Sequence, residues 1–402
     1  MKILFTFIFV IIVSCGFSQT DDFNQLLEKG KAEFKKEDDK QDFFVAAEAL
    51  QKAVALKPEN TEAHYFLGCA YSRTNSKDAN MLLKMTAEMT IKVSEQFEAI
   101  IKLTPEYKGE IIILDPYSKL NSEWSSLAMK YWYYNKTDSM QWAYNESKKR
   151  GGFSEFLVSQ SRAKLDICDK NAILISSGDN ATFPLFYVQQ IEGYRKDVSL
   201  IDISLLNTEW YARVLAGKGV ISFDNKRKYV DTIQYCEWKD SLITIENFSW
   251  TVKPSYYDLY LGRSDILFMS ILRDNKFKRS IYFTTAFNES MRLSLKDYLI
   301  SLTMLDKLNI NKEPELSTPK FKTEILKFLP SIKQVNKFSP DEMSFIDDIR
   351  YAVFYKIYNV MNDDKTSAKD LLMMLDMYTD EKTYPIQVKS VKEFSDYIHK
   401  SL

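Results

Sequence analysis

A strand–turn–helix–strand pattern near the middle of the chain constrains the fold more than any other feature. The run Ala172-Ile-Leu-Ile-Ser176 is short and apolar, as buried parallel strands are. Residues 182–194 then follow the pattern of a helix, and residues 198–205 form a second apolar run. This succession predicts a right-handed crossover unit of an α/β sheet.

The turn between the first strand and its helix, Gly178-Asp179-Asn180, has two interpretations. In open α/β sheets, ligands bind just past the carboxyl end of a strand, where the first helix amides are free. The three residues would then hold a polar ligand such as an anion or a sugar. Alternatively, Gly178 permits a tight turn, and Asp179 or Asn180 caps the helix. The sequence favours the capping interpretation.

The rest of the second half indicates an α/β domain over 160–310 and a helical C-terminal region over 320–402. Residues 229–238 and 242–252 alternate as the two arms of a hairpin insertion would, and residues 280–284 form a third apolar run. From Leu293 onward the pattern is mostly helical, with a linker over 311–319.

The first half indicates helical repeats. Ala46-x3-Leu50-x2-Ala53-x4-Pro58 resembles the second helix of a tetratricopeptide repeat, in which small residues let two helices approach closely. The resemblance covers 22–150. We therefore predict an α plus α/β fold: N-terminal tetratricopeptide-like helical repeats, a central Rossmann-like α/β domain and a helical C-terminal region.

Residues 1–19 have the pattern of a signal peptide. Lys2 precedes an apolar run over 3–13, which is too short to span a bilayer as a mature helix. Two cleavage sites compete: a lipobox ending at Cys15, which would carry lipid, and the small residues of 16–18. The pattern predicts an exported, periplasmic protein, attached to a membrane only through such an anchor or through a partner.

Composition and residue types exclude several classes of function. The chain has 54 Lys and Arg against 55 Asp and Glu, for a net charge of -1, which argues against nucleic-acid binding. Three cysteines outside the leader, Cys69, Cys168 and Cys236, make no disulfide framework and read as buried apolar residues. With two separated histidines, no metal site is expected.

No catalytic pattern emerges. The sequence has no nucleophile elbow, P-loop or dinucleotide fingerprint. The adjacent acids Asp347-Asp348 and Asp363-Asp364 read as solvated side chains, because neighbouring side chains diverge. We expect no cofactor and no enzymatic activity.

Two blocks of the middle resemble the soluble part of bacterial membrane proteins of the DUF2723 type, described as protein O-mannosyltransferases or glycosyltransferases. The first block is GDNATFPLFYVQQIEGYRKDVSLIDISLLNTEWY, and the second begins at Arg263-x-Asp265 and continues to Leu299. The resemblance implies a sugar-related function for this α/β region. The family motif reads Gly-Asp-Asn-Asp, whereas this chain has Ala181 in the fourth position.

Further candidate residues lie in both halves. Arg263, Asp265 and Arg279 would form either a structural ion-pair cluster or an anion pocket. If the turn binds a ligand, Arg263 and Asp265 would converge with Gly178, Asp179 and Asn180 on one site. Aromatic residues crowd one helical pair beyond what a single apolar stripe can hide, so three of them are candidates for a partner surface: Trp124, Trp132 and Trp142.

The function that these patterns predict is a non-enzymatic, exported scaffold. It would bind a protein partner at the periplasmic face of a bacterial envelope assembly, for instance as a plug-like accessory subunit of an outer-membrane secretion translocon. The alternative, which the family resemblance implies, is a glycan-binding or carbohydrate-active protein.

Overall fold

The computed structural model describes residues 21–224, 232–285 and 292–402. The chain divides into two compact units, an N-terminal unit that ends at Gly152 and a C-terminal unit, Phe153–Leu402. The molecule is mostly helical with one small mixed sheet, which confirms the expected fold class at a coarse level. The separate α/β and helical regions within 160–402 stay a prediction. The proposed signal peptide and Cys15 lie outside the described residues.

The N-terminal unit is a succession of helices in which neighbours along the chain pack on each other. Over residues 21–152 its α-helices are α1 (21–34), α2 (Phe43–Leu56), α3 (Thr61–Asn75), α4 (Ala87–Leu103), α5 (Pro116–Tyr133) and α6 (Thr137–Lys149). Packing is densest for α3 with α4 and for α5 with α6. Side-chain caps start four of the helices, because each cap accepts amide protons of the first turn: Asp42, Asn60, Thr86 and Asp115.

Glycine allows close approach inside this unit. A methyl group at Gly30 would lie 2.3 Å from Cγ of Leu50, and one at Gly68 would lie 2.9 Å from the ring of Phe97. Both partners are fully buried. The spacing of small residues in the sequence therefore reflects helix packing.

One buried polar cluster lies between α3 and α5. The ammonium group of Lys119 donates to Glu123 and to Ser72, each at 2.8 Å, and Ser72 donates to the same Glu123 oxygen. All three side chains are buried, and the second carboxylate oxygen of Glu123 has no hydrogen-bond partner. The charge of Glu123 is thus balanced by a single cation.

The C-terminal unit contains a five-stranded sheet of order β2-β1-β7-β9-β8. Its strands are β1 (Ile173–Ser176), β2 (Ser199–Asp202), β7 (Ile281–Thr284), β8 (Leu299–Ser301) and β9 (Leu305–Leu308). β1 pairs in parallel with β2 and β7, whereas β9 runs antiparallel to both of its neighbours. The helix α8 (Asp179–Gln190) connects β1 to β2, as the sequence pattern predicted.

The other α-helices of this unit lie along the rest of the chain: α7 (Glu155–Ile167), α9 (Glu209–Gly217), α10 (Arg263–Asn275), α11 (Thr318–Ile325), α12 (Pro340–Val360), α13 (Lys365–Tyr378) and α14 (Lys389–Ser401). Of these, α7 packs on α8, and α12 packs on both α13 and α14.

Two predictions of secondary structure in the C-terminal unit were wrong. The expected hairpin of 229–238 with 242–252 is replaced by a hairpin of β4 (Ser241–Ile245) with β5 (Phe248–Val252), while β3 (Tyr235–Glu237) pairs with β6 (Tyr260–Gly262). Residues 299–308, expected to be helical, form β8 and β9. These strands have three and four residues, too few to show a period. Pairing decides their conformation: β9 pairs with β7, and β8 pairs with β9.

Candidate functional site

The predicted turn lies at the carboxyl end of β1 and opens α8. Gly178 has φ 90°, a left-handed backbone that favours glycine, and its carbonyl accepts the amide of Thr182 at 2.9 Å. Gly178 itself is the N-cap of α8, and Asp179 and Asn180 are the first two helical residues. The turn-permitting role of Gly178 is confirmed, whereas the prediction that Asp179 or Asn180 occupies the cap is wrong.

Asn180 connects α8 to a distant helix. Its side-chain amide donates to Oδ2 of Asp341 at 2.8 Å, in the first turn of α12. An amide engaged in this way holds two helices together, which is a structural role.

A buried aspartate that the sequence reasoning overlooked lies beside this turn. Asp202 ends β2, is buried, and accepts the amide of Leu205 at 2.9 Å. The hydroxyl of Thr182 lies 2.9 Å from both Asp202 and Ser176. Burial raises the pKa of Asp202 to about 6, and the nearby charge of Asp179 adds to the rise. The signal that the sequence offered was an acid within the apolar run of residues 198–205.

The side chains of Thr182, Ser176 and Asp202 form hydrogen bonds within their own cluster. The Thr182 hydroxyl has one proton for two neighbours, so a protonated Asp202 carboxyl can donate the second hydrogen bond. The cluster joins the ends of β1 and β2 to α8, and we interpret it as the support on which the Gly178 turn rests.

The second predicted motif, Arg263 and Asp265, bonds to backbone groups. Arg263 is buried and donates to the carbonyls of Leu206, Thr208 and Ile233. Asp265 accepts the Gly262 amide at 3.1 Å at the start of α10, and burial raises its pKa. Both residues thus organise the backbone around α10.

Arg279 also binds backbone. Its guanidinium donates to the carbonyls of Asn171 and Ala172 and to the hydroxyl of Ser199, so that it links the starts of β7, β1 and β2. The predicted ion-pair cluster of Arg263, Asp265 and Arg279 is wrong, because carbonyl groups take the place of the expected acidic partners.

The three tryptophans differ in exposure. Trp124 is fully buried, donates to the hydroxyl of Ser94, and is a core residue, which corrects its assignment to a surface. Trp142 packs edge-on against it at 5.4 Å and is 39% exposed, and Trp132 is half-buried.

The paired acids also differ from expectation. Asp347 is buried rather than solvated: it bonds the Arg350 guanidinium at 2.8 Å and accepts the amides of Gln387 and Val388. Burial raises the pKa of its neighbour Asp348 to about 6. Asp364 is exposed and caps α13. In the described ranges, no three His, Cys, Asp or Glu side chains are grouped as a metal site requires.

A cavity of about 490 Å³ lies between the sheet and α12, within the size range of ligand sites. It is bordered by the whole of β8 and by one face of α12. Nothing in the sequence pointed to it, because β8 was not expected. The residues of α12 that line it are Asp348, Tyr351, Ala352, Tyr355, Lys356 and Asn359.

Comparisons with known proteins match one part of the C-terminal unit. Residues 158–222 match the family model described as TMEM260-associated domain 2. The match covers α7 to α9 and includes the Gly178 turn and Asp202. No curated protein and no solved structure matches the chain.

These findings correct the family resemblances. No DUF2723 model matches, so that resemblance is wrong, and the argument from it for a glycan-related function no longer holds. The tetratricopeptide resemblance over 22–150 has no matching model either. Within the described part of the chain, no helix has both the length and the apolar character to cross a bilayer.

Proposed function

We propose that this chain is a non-enzymatic, exported scaffold that binds a protein partner at the periplasmic face of a bacterial envelope assembly. The specific form proposed is a plug-like accessory subunit of an outer-membrane secretion translocon. Support for export comes from the sequence of residues 1–19, with its charged start, apolar run and alternative cleavage sites.

The finer fold assignment belongs to this proposal. We propose that the N-terminal unit is a helical-repeat domain, because consecutive helices pack in chain order and Gly30 and Gly68 allow their close approach. We propose a Rossmann-like origin for the sheet, because β1, α8 and β2 form a parallel crossover.

The observation that carries the binding function is a group of partly exposed aromatic residues at the end of α5 and on α6, here named the aromatic surface. It consists of Tyr131, Trp132, Tyr133, Tyr134 and Trp142. Tyr134 is 49% and Trp142 39% exposed, and the other three are half-buried. Tyrosine and tryptophan are the residues that contribute most to protein interfaces, because their large rings exclude water at low entropic cost.

The test is affinity purification of the tagged chain from detergent-solubilised envelopes of its native host. The wild type should recover a stoichiometric membrane-protein partner, and Trp142→Ala and Tyr134→Ala should each reduce recovery about tenfold. Phe44→Ala is the matched control, since Phe44 is 75% exposed in α2 of the same unit. A chain that purifies as a clean monomer, or equal recovery with all variants, contradicts the proposal.

Export has its own test. Mass spectrometry of the mature N-terminus should find either a lipid-modified Cys15 or a chain that begins at Gln19. Recovery of the chain from the cytoplasmic fraction with Met1 intact would contradict the proposed export.

A further inference from the structure

The cavity in the C-terminal unit lies at the edge of the sheet. In the described part of the chain, β8 is the last strand of the order β2-β1-β7-β9-β8 and pairs on one side with β9. Its three successive residues, Leu299, Ile300 and Ser301, all line the cavity. Successive side chains of a strand point to opposite faces, so a cavity under one face would meet alternate residues. Contact with all three shows that the cavity meets the strand at its open edge.

The backbone of β8 directs polar groups into this space. Leu302 donates to Leu305 and Asn309 donates to the Tyr298 carbonyl, each at 2.7 Å, which fixes the phase of the ladder. In an antiparallel pair, alternate residues direct their N–H and C=O groups away from the partner strand. Leu299 and Ser301 are those residues here. The Leu299 amide donates to Lys296, which leaves the Leu299 carbonyl and both groups of Ser301 directed outward.

The opposite wall of the groove is one face of α12. The lining residues of α12 run from Asp348 to Asn359 at spacings of three and four. At 1.5 Å per residue this face is about 16 Å long, the length of roughly five residues of extended chain. Tyr351 and Tyr355 lie on it with their ring planes nearly parallel, at an angle of 17° and a centroid distance of 6.4 Å, and are 52% and 43% exposed.

Among the described residues that line this groove, the formal charges balance. Arg292, Lys296 and Lys356 face Asp306, Glu315 and Asp348. Arg292 contacts Asp306 at 3.1 Å, and the Lys356 ammonium donates to the Leu316 carbonyl at 2.6 Å. A groove with a free strand edge, an aromatic wall and no net formal charge is complementary to an extended, uncharged peptide.

We propose that the groove between β8 and α12 binds an extended, uncharged segment of a partner protein. The segment adds a strand to β8 through the outward groups of Leu299 and Ser301, and it places an apolar side chain on the rings of Tyr351 and Tyr355. This inference rests on the proposed function, since it names the kind of segment that a protein partner would present.

The experiment selects peptides from a phage-displayed library of random heptapeptides against the full mature chain. We expect enrichment of uncharged sequences with apolar residues at alternate positions. Ser301→Pro removes the outward amide and should weaken binding of a selected peptide at least tenfold, whereas Ser301→Ala, which keeps that amide, should not. Tyr355→Ala should also weaken binding at least tenfold, and Met377→Ala, at an exposed position of α13, should not.

Several results would overturn the inference: no enrichment, equal binding by the two Ser301 variants, or a wild-type dimer that Ser301→Pro dissociates, which would make a second copy the occupant. Melting temperatures of the variants separate binding loss from unfolding. A chain that recovers its membrane partner through the aromatic surface yet selects no peptide would refute the groove and leave the proposed function standing.

Discussion

The two units bury charge in different ways. In the N-terminal unit, Lys119 of α5 bonds to two side chains, Glu123 on the same helix and Ser72 on α3. In the C-terminal unit, buried Arg263 and Arg350 donate to backbone carbonyls far along the chain. Regular helices satisfy all but their terminal carbonyls internally, whereas short strands and long connections leave many carbonyls to be bonded by other groups. Arginine, with five donors, can bond several of them at once.

This difference indicates which buried charges the fold requires. A cation that bonds only to side chains can be removed together with them and replaced by apolar residues. A cation that bonds to carbonyls cannot be removed in this way, because the backbone acceptors remain after any substitution. The N-terminal polar cluster should therefore be replaceable and the C-terminal arginines should not.

The largest effect is expected at Arg350. Its replacement by Met removes the cation beside the buried Asp347 carboxylate and the guanidinium donor of the Thr379 and Tyr384 carbonyls. We expect a loss of about 3–5 kcal/mol in the free energy of unfolding, measured by urea denaturation. Adding Asp347→Asn should not restore stability, since the two carbonyls stay unbonded. Recovery in the double variant would show that the carbonyl bonds contribute little.

Lys119 provides the contrasting case. Lys119→Met should cost about 3 kcal/mol, because the Glu123 carboxylate stays buried with its only cation removed. Replacing the whole cluster by apolar residues, with Ser72→Ala, Lys119→Met and Glu123→Leu, should return the free energy of unfolding to near the wild-type value. If the triple variant is as unstable as the single one, the proposed distinction between the units fails.

Asp202 should give the C-terminal unit a pH dependence. Its folded pKa, about 6, lies above the unfolded value of 3.8, so the folded state binds more protons between these values. Stability from this group is therefore full below about pH 4, falls as pH rises through the window, and is lost above about pH 6. The change is on the order of 2–3 kcal/mol. Asp202→Asn should remove it, which unfolding curves of both proteins at pH 4 and 7 would measure; parallel profiles would refute the assignment.

The smallest effect is expected for glycines. Gly178→Ala forces an L-residue to φ 90°, which should cost about 1–2 kcal/mol although nothing lies within 4 Å of the added methyl group. Gly217→Ala is the control, because that glycine is helical and its surroundings are open, and it should be neutral or stabilising by up to about 1 kcal/mol. Equal melting temperatures for both variants would argue against backbone strain at Gly178.

Local patterns predicted the features that depend on local sequence. The β1–α8–β2 crossover and the Gly178 turn follow from apolar runs and a glycine within some thirty residues. β8 and β9 were not predicted because their conformation depends on pairing between strands: β9 pairs with β7, and β8 pairs with β9. The burial of Asp347 was not predicted for the same reason. Its partners include the amides of Gln387 and Val388, which no local sequence pattern connects to it.

The site was less predictable than the fold. Arg263 and Asp265 were recognised as important, but their partners are backbone groups brought together by the tertiary structure. Asp202 could have been noticed as an acid within an apolar run. The groove could not, since it is formed by an unexpected strand on one side and by a helix that starts some forty residues later on the other.

The parallel register of the sheet also bears on folding kinetics. Helices of the N-terminal unit meet their neighbours in chain order, so each can dock soon after it forms. β1, by contrast, pairs Ile173 with Ile281, and β8 and β9 come later still. Non-local parallel pairing folds slowly, because loop-closure entropy is lost before the contacts form. A chain that emerges N-terminus first would leave one edge of β1 unpaired until the strand at 281 arrives, so this interval is when the C-terminal unit most needs protection from aggregation.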